Sequence, residues 1–309
     1  MSSTDHNTFL ELLPTEILYD IRDLLQIPDL KQLSCVSKKL RQICLPLLFH
    51  EVEFRFSKPG FDELRSFIES EVRHYTVSFI YVAPQLLRPE ILDFECYSSN
   101  LFTFQTHRYV EEAKELYDLK YHDGECPSYM VIYDRLQKIC EEQRGIINTD
   151  TDLAVLSSAL QKLPKLAELR VDFCRPVEKG DWLQSYLDLD MTLGEKSYEH
   201  HLNVVSKAVW IANGSGVPLR TVCLSQLQLP YHDGRKEEQY PGPFLETLRE
   251  LLDRIENLRL DRCNFLLGFS RAGLDLRRID MNCPTDENVS LSYGGRQVNV
   301  NLIQGKTLD

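Results

Sequence analysis

No stretch of this 309-residue sequence approaches the roughly 20 consecutive apolar residues that a membrane-spanning helix needs. Its opening, MSSTDHNTFLELLP, has no basic segment leading into an apolar one, so no secretory leader is expected there. Positive charge is not in excess either: 35 Lys and Arg stand against 47 Asp and Glu, a formal net charge of −12. A surface of that sign repels phosphate backbones and argues against nucleic acid as a partner. Cysteine pairs at metal-ligand or redox spacing are missing. The nine cysteines are scattered with no C-x-x-C, and an odd number does not suggest a disulfide framework. They read as small buried hydrophobes in a reducing compartment, the cytosol or nucleus. With 43% hydrophobic and 27% charged residues, the composition is that of a globular chain.

What is present in surplus is apolar surface near the start. The segment LPTEILYDIRDLLQIPDLKQLSCVSKKLRQICLPLLFHEVEF runs from Leu13 to Phe54. At helical spacing Leu13, Ile17, Ile21 and Leu24 form one stripe, and Leu18 and Leu25 a second. Leu30, Leu33 and Val36 continue the pattern, followed by Leu40, Ile43, Leu47 and Leu48. Three short helices are predicted. Pro14 suits the first helical position and Glu16 the first turn. Ile27-Pro28 is expected to close the first helix, Asp29 with Gln32 to start the second, and Ser37 to cap the third. Residues 1–11 are expected to be a disordered tail. A unit of about 40 residues is near the lower limit for a self-sufficient core, and this one has more stripe than three helices cover among themselves. The surplus must dock on the rest of the chain or on a partner. From Leu13 to Leu48 the charges balance to +1, so the remainder carries −13. That motivates a basic or neutral segment as the ligand of the remainder.

Beyond Leu48 the period changes. Phe49, Val52 and Phe54 are spaced apolar-x-x-apolar-x-apolar. The same spacing returns at Val72-Tyr75-Val77, Leu166-Leu169-Val171, Leu219-Val222-Leu224, Ile255-Leu258-Leu260 and Leu276-Ile279-Met281. LAELRVDFC and IENLRLDRC complete L-x-x-L-x-L-x-x-C, the strand signature of a leucine-rich repeat. Helical stretches precede most of these strands: FDELRSFIES, DLAVLSSALQKLP with Thr151 or Asp152 as cap, HLNVVSKAVWIANG stopping at Gly214, and PFLETLRELLDRI. Strands near residues 53, 76, 170, 223, 259 and 280, alternating with helices, predict a mostly parallel sheet, with Leu169, Val171, Leu258 and Leu260 buried. The intervals are irregular, and 85–148 reads as a helical insertion containing YVEEAKELYDL and YMVIYDRLQKICEEQ. A generic α/β domain with coincidental spacing is the competing reading.

Few residues suggest chemistry. Asp188-x-Asp190-x-Thr192 resembles the D-x-D-x-T motif of haloacid-dehalogenase phosphatases, where the first Asp attacks phosphate and the second is the acid/base. That chemistry needs the motif at the end of a buried strand, whereas WLQSYL before it reads as an amphipathic helix and Met191 replaces the usual Gly. His200-His201 has no third ligand at metal spacing and reads as a solvated helix start. Gly214-Ser215-Gly216 reads as a helix stop, and Trp182 and Trp210 as packing. No catalytic residue, cofactor or metal is expected.

LPTEILYDIRDLLQIPDLKQLSCVSKKLRQIC resembles the F-box, with its L-P-x-E-I opening, D-L-x-x-L-S-x-V-S-K centre and trailing L-R. Leu40 stands where many F-boxes have Trp. The later segments are similar to fungal F-box proteins with a degenerate leucine-rich region. The resemblance implies an α/β architecture: a three-helix F-box at 12–52, then an irregular leucine-rich-repeat-like solenoid at 53–309 with a mostly parallel sheet and convex helices. It implies a non-catalytic receptor subunit of a ubiquitin ligase, holding a protein substrate while a Skp-type adaptor links it to a cullin. Adaptor-facing positions carried over from the family are Leu13, Pro14, Ile17, Leu18, Leu25, Leu30, Leu33, Val36 and Leu40. An adaptor-binding F-box protein outside any ligase is the alternative, and a phosphatase using Asp188 and Asp190 the remote one.

Overall fold

The computed structural model describes residues 9–101, 129–175, 183, 186–187, 189–216, 219–227, 242–261, 287–293 and 296–303. The tail at 1–8, the helix expected in YVEEAKELYDL, most of the charged loop QLPYHDGRKEEQYPGP and the strand expected near residue 280 lie outside the described residues.

A 3-10 turn at Phe9–Leu12 leads into α1 (Thr15–Asp23), α2 (Ile27–Ser34) and α3 (Lys38–Leu48). Pro14 sits at the N-cap of α1, one position earlier than expected. Ile27-Pro28 does not close α1, which ends at Asp23; it opens α2, with Gln26 as the extended N-cap residue. A proline at the start of a helix forfeits no hydrogen bond and its fixed φ suits the first turn. Asp29 therefore lies within the first turn rather than starting the helix. Ser37 does cap α3, its hydroxyl accepting from the Leu40 N–H at 3.3 Å.

Phe49 and His50 carry α3 into β1 (Glu51–Arg55), which is followed by α4 (Lys58–Ile68) and β2 (Ser78–Pro84). The long α5 (Tyr129–Asn148) and α6 (Thr151–Lys162) precede β3 (Glu168–Arg175). Then come α7 (Glu195–Gly214), β4 (Thr221–Ser225), α8 (Gly242–Leu252) and β5 (Asn257–Asp261). Strands β1 to β5 are parallel and neighbours in chain order. A hairpin of β6 (Glu287–Tyr293) and β7 (Arg296–Ile303) completes the sheet, β7 parallel to β5 and β6 antiparallel at the far edge. Parallel neighbours require crossovers, and α4, α6, α7 and α8 supply them.

The register aligns Phe54, Tyr81, Val171, Leu224 and Leu260 in one row, and Phe79, Leu169, Val222 and Leu258 in another, across very unequal stretches of sequence. All are buried, in one cluster with Phe61, Leu64, Leu156, Leu160, Leu202, Val205, Leu248 and Leu251 from the four crossover helices. The helices thus cover one face of the sheet. Side chains alternate along a strand, so Glu51, Glu53, Glu168, Arg170 and Arg259 share the other face. There Arg259 donates to Glu168 at 2.5 Å.

The expected strand centre near residue 76 falls short of β2. Glu71–Tyr75 is a 3-10 turn that serves the end of α4: Arg73 donates to the Ile68 carbonyl at 2.7 Å, and Ser70 N–H to that of Phe67. Only at Ser78 does the apolar alternation of Phe79, Tyr81 and Ala83 meet the sheet. Between β2 and α6, the segment from Leu87 to Leu101 and α5 build a second core with Leu183, Tyr186 and Met191. Arg88 N–H donates to the Met191 carbonyl and Leu193 N–H to that of Leu86. The cap of α6 is Asp150, at φ 47°, rather than Thr151 or Asp152. Gly216, at φ 85°, lies just past the end of α7, in keeping with a helix stop. Trp210 is 61% exposed on α7 rather than packed, while Trp182 lies outside the described residues.

Candidate functional site

The three N-terminal helices hold a core of their own, with Leu18, Leu40 and Ile43 buried and Leu10, Leu13 and Leu33 packed against them. Polar ties brace it. Lys39 donates to the Leu13 carbonyl at 3.2 Å, fixing the approach to α1 onto α3. Arg22 reaches the Ile43 carbonyl at 3.3 Å while binding Asp23 and lying over the Tyr19 ring, 4.7 Å from its centroid. Burial pushes the Cys44 thiol up, with the Arg22 charge opposing it.

That core does not absorb the apolar surplus. Of the ten large hydrophobics that stand exposed among the described residues, six lie between Leu12 and Val36. They are Leu12 at 68%, Ile17 at 44%, Tyr19, Leu24 at 85%, Ile27 and Val36 at 53%. Of the nine positions carried over from the family pattern, Pro14, Ile17 and Val36 are exposed, and Leu13, Leu25 and Leu33 half-buried. Leu18, Leu30 and Leu40 are buried within the chain and Leu13 and Leu33 pack against its core, so of the nine the open face keeps Pro14, Ile17 and Val36, with Leu25 half-buried. The family pattern omitted Leu12, Tyr19, Leu24 and Ile27, although Leu24 belongs to the stripe of Leu13, Ile17 and Ile21. Leu24 and Ile27 flank the turn between α1 and α2, and large apolar residues beside a turn are the signal that pointed to them. To leave so many large apolar side chains exposed within 25 residues is unusual for a folded domain.

The other candidates for chemistry resolve as structure. Asp190 is exposed on a 3-10 turn, Leu189–Met191, and not at a strand end, while Asp188 lies outside the described residues. Met191 and Thr192 are buried, and Met191 anchors that turn to the second core. The histidine pair is not a solvated helix start. His201 is fully buried, its Nε2–H donating to the Pro84 carbonyl and its Nδ1 accepting from the Tyr81 hydroxyl, each at 2.9 Å. His200 Nε2–H donates to the buried Asp152 carboxylate at 2.8 Å. Burial drives the Cys140 and Cys223 thiols up to about 11, so neither is a ready nucleophile at neutral pH. Among the described residues no group of three or more His, Cys, Asp or Glu is placed to hold a metal ion, and no helix is long and apolar enough to cross a membrane.

No curated protein matches the chain. Residues 10–55 match the family described as F-box-like, so α1, α2, α3 and β1 of this chain make up an F-box-like domain.

Proposed function

We propose that the chain is a substrate-recognition subunit of a Skp–cullin–F-box type ubiquitin ligase. The Skp-type adaptor covers the open apolar face of the F-box-like domain, and the sheet region with its insertions holds a protein target. A cullin joins through the adaptor. The observation that carries this reading is the crowding of exposed large hydrophobics between Leu12 and Val36, within the residues that match the F-box-like family. Helices of this size expose such a surface only if something else covers it. The role needs no catalytic side chain of the chain's own, since a receptor contributes proximity and orientation. On this reading the sheet is the frame of an irregular leucine-rich solenoid, its polar face and loops are the place for the target, and the protein works in the cytosol or nucleus.

The test is a pull-down of the full chain with a purified Skp-type adaptor. Ile17→Asp with Val36→Asp places two carboxylates on the exposed face without disturbing the buried Leu18, Leu30 and Leu40. Each uncompensated charge in a desolvated interface costs several kcal/mol, so binding should fall by at least about 100-fold. Undiminished binding would reject the reading. Adaptor binding without recovery of a cullin would instead favour an adaptor-binding role outside a ligase.

A further inference from the structure

Strand β1 is an edge of the sheet, since its only partner among the described residues is β2. Phe56 N–H donates to the Val82 carbonyl, and the His50 carbonyl accepts from Ser78 N–H. In a parallel ladder alternate residues face the partner. The even-numbered residues of β1 therefore bond to β2, and Glu51 and Glu53 turn their backbone N–H and C=O groups outward. Among the described residues no backbone hydrogen bond reaches those outward groups. Unused ladder positions are where a further strand adds.

Two cavities run along this edge, of about 770 and about 680 Å³, and Val52, Glu53 and Phe67 line both. The larger lies between β1 and the F-box-like helices, with an apolar floor that includes Phe49, which stacks on Phe67 with ring centroids 6.1 Å apart. Its far wall carries Lys31, Lys38 and Arg41, with no ion pair to any of them among the described residues. Glu51 and Glu53 of β1 also line the larger cavity, and the smaller one carries Glu53, Glu63 and Arg55, which pairs with Glu53 at 3.0 Å. The cations thus lie on the wall made by α2 and α3, the carboxylates on β1 and α4, and β1 keeps open backbone groups.

We propose that this groove binds an extended peptide segment of a partner protein by strand addition to β1. An Asp or Glu side chain of the peptide meets Lys31, Lys38 and Arg41, and an apolar side chain rests on the floor that Phe49 and Phe67 form. The acidic balance of the whole chain favours a basic ligand, but charges farther than about 8 Å are screened at physiological salt while those lining the groove are not. At the wall made by α2 and α3 the cations therefore decide. A second copy of this chain fits less well, because an antiparallel β1–β1 pair centred on Glu53 sets that carboxylate against its own copy, which destabilises a strand pair. Lys31, Ser34 and Cys35 bring the C-terminal end of α2 into the groove, while Ile17, Tyr19 and Leu24 of the exposed face lie outside it.

The experiment selects peptides from a displayed random library against the full chain and synthesises the winners for binding measurements. Selected peptides should alternate apolar and polar residues, carry Asp or Glu at one end and lack proline between. Glu53→Pro removes an outward N–H and leaves the bonds to β2 intact, and should weaken binding roughly tenfold or more. Glu53→Ala, which keeps that N–H, should stay within about threefold. Lys38→Glu with Arg41→Glu, two exposed positions on α3, should also weaken acidic peptides roughly tenfold and shift selection to basic ones; this pair decides the matter if Glu53→Pro does not fold. Failure to select any peptide, or equal binding by wild type and both test variants, overturns the proposal. So does a wild-type dimer in sedimentation that Glu53→Pro makes monomeric, which would give the edge to a second copy. Ile17→Asp alone, on α1 and outside the groove lining, should leave peptide binding unchanged, so loss of adaptor binding there bears on the ligase reading alone.

Discussion

His201 is a polar side chain held in a core because both ring nitrogens have partners. Pro84 offers only a carbonyl, so Nε2 must carry the proton and Nδ1 is left to accept from Tyr81. The Phe56 ring meets it edge-on with centroids 5.0 Å apart. Burial, with the neighbouring His200 charge, pulls its pKa down to about 3. In an unfolded chain a histidine titrates near about 6.5. Between those values the unfolded chain binds a proton that the folded one refuses. Stability is then full above about pH 6.5 and declines as the pH falls toward 3, by roughly 1.4 kcal/mol per unit from this group. His201→Gln keeps one donor and one acceptor and removes the titration. It should lower stability at pH 7.5 by about 1–3 kcal/mol and flatten the loss between about pH 6 and 4.5 in urea denaturation. Parallel pH profiles for mutant and wild type would refute this. The sequence shows two adjacent histidines near a helix start; that one is buried depends on β2, far away in the chain, supplying a hydroxyl and a carbonyl.

At the scale of elements, α4 shows how a helix start is locked to the strand before it. The Ser57 hydroxyl accepts from the Gly60 N–H at 3.1 Å, and a Cβ at Gly60 would lie 2.3 Å from the Arg55 carbonyl oxygen. Alanine is the better helix former by about 1 kcal/mol, yet no Cβ tolerates a backbone oxygen that close. Gly60→Ala should therefore lower the melting temperature, with a net loss of about 1–3 kcal/mol as α4 moves off β1. A rise in melting temperature would show that the helix shifts freely. The apolar spacing located β1, β3, β4 and β5, but set the second strand too early. Val72 and Tyr75 satisfy the pattern while sitting in a turn that closes α4. The hairpin of β6 and β7 went unread although Gly294-Gly295 separates two alternating runs, a strong short-range hairpin signal.

For the molecule as a whole, the F-box-like helices keep a small buried cluster apart from the large one under the sheet. The two meet where α3 runs into β1 and Phe49 stacks on Phe67. With so few buried side chains and Leu24 and Ile27 exposed beside a turn, α1 and α2 form the least protected part of the described structure. Among the described residues, limited proteolysis of the chain alone should cut first between Asp23 and Ile27, before any strand of the sheet. Added Skp-type adaptor should suppress that cut at least severalfold through mass action. First cleavage within β2 to β4 would mean that the N-terminal helices are the more stable part.

By itself the sequence determined the three opening helices, the Ser37 cap, the alternation of helix and strand, and the inward set of Leu169, Val171, Leu258 and Leu260. These follow from periods of 3.6 and 2, which short stretches carry locally. It also carried the F-box pattern, because spacing and punctuation agree within one short segment. Only the tertiary structure decided which apolar residues of that segment remain open. A stripe names a face, but Leu18 and Leu40 are buried while Ile17 and Val36 are not, because α3 packs across one side of α1 and α2 and leaves the other bare. Strand order, the edge at β1 and the grooves along it were beyond local reading for the same reason. They arise from contacts between residues far apart in the chain, and no periodicity records which strand is left without a neighbour.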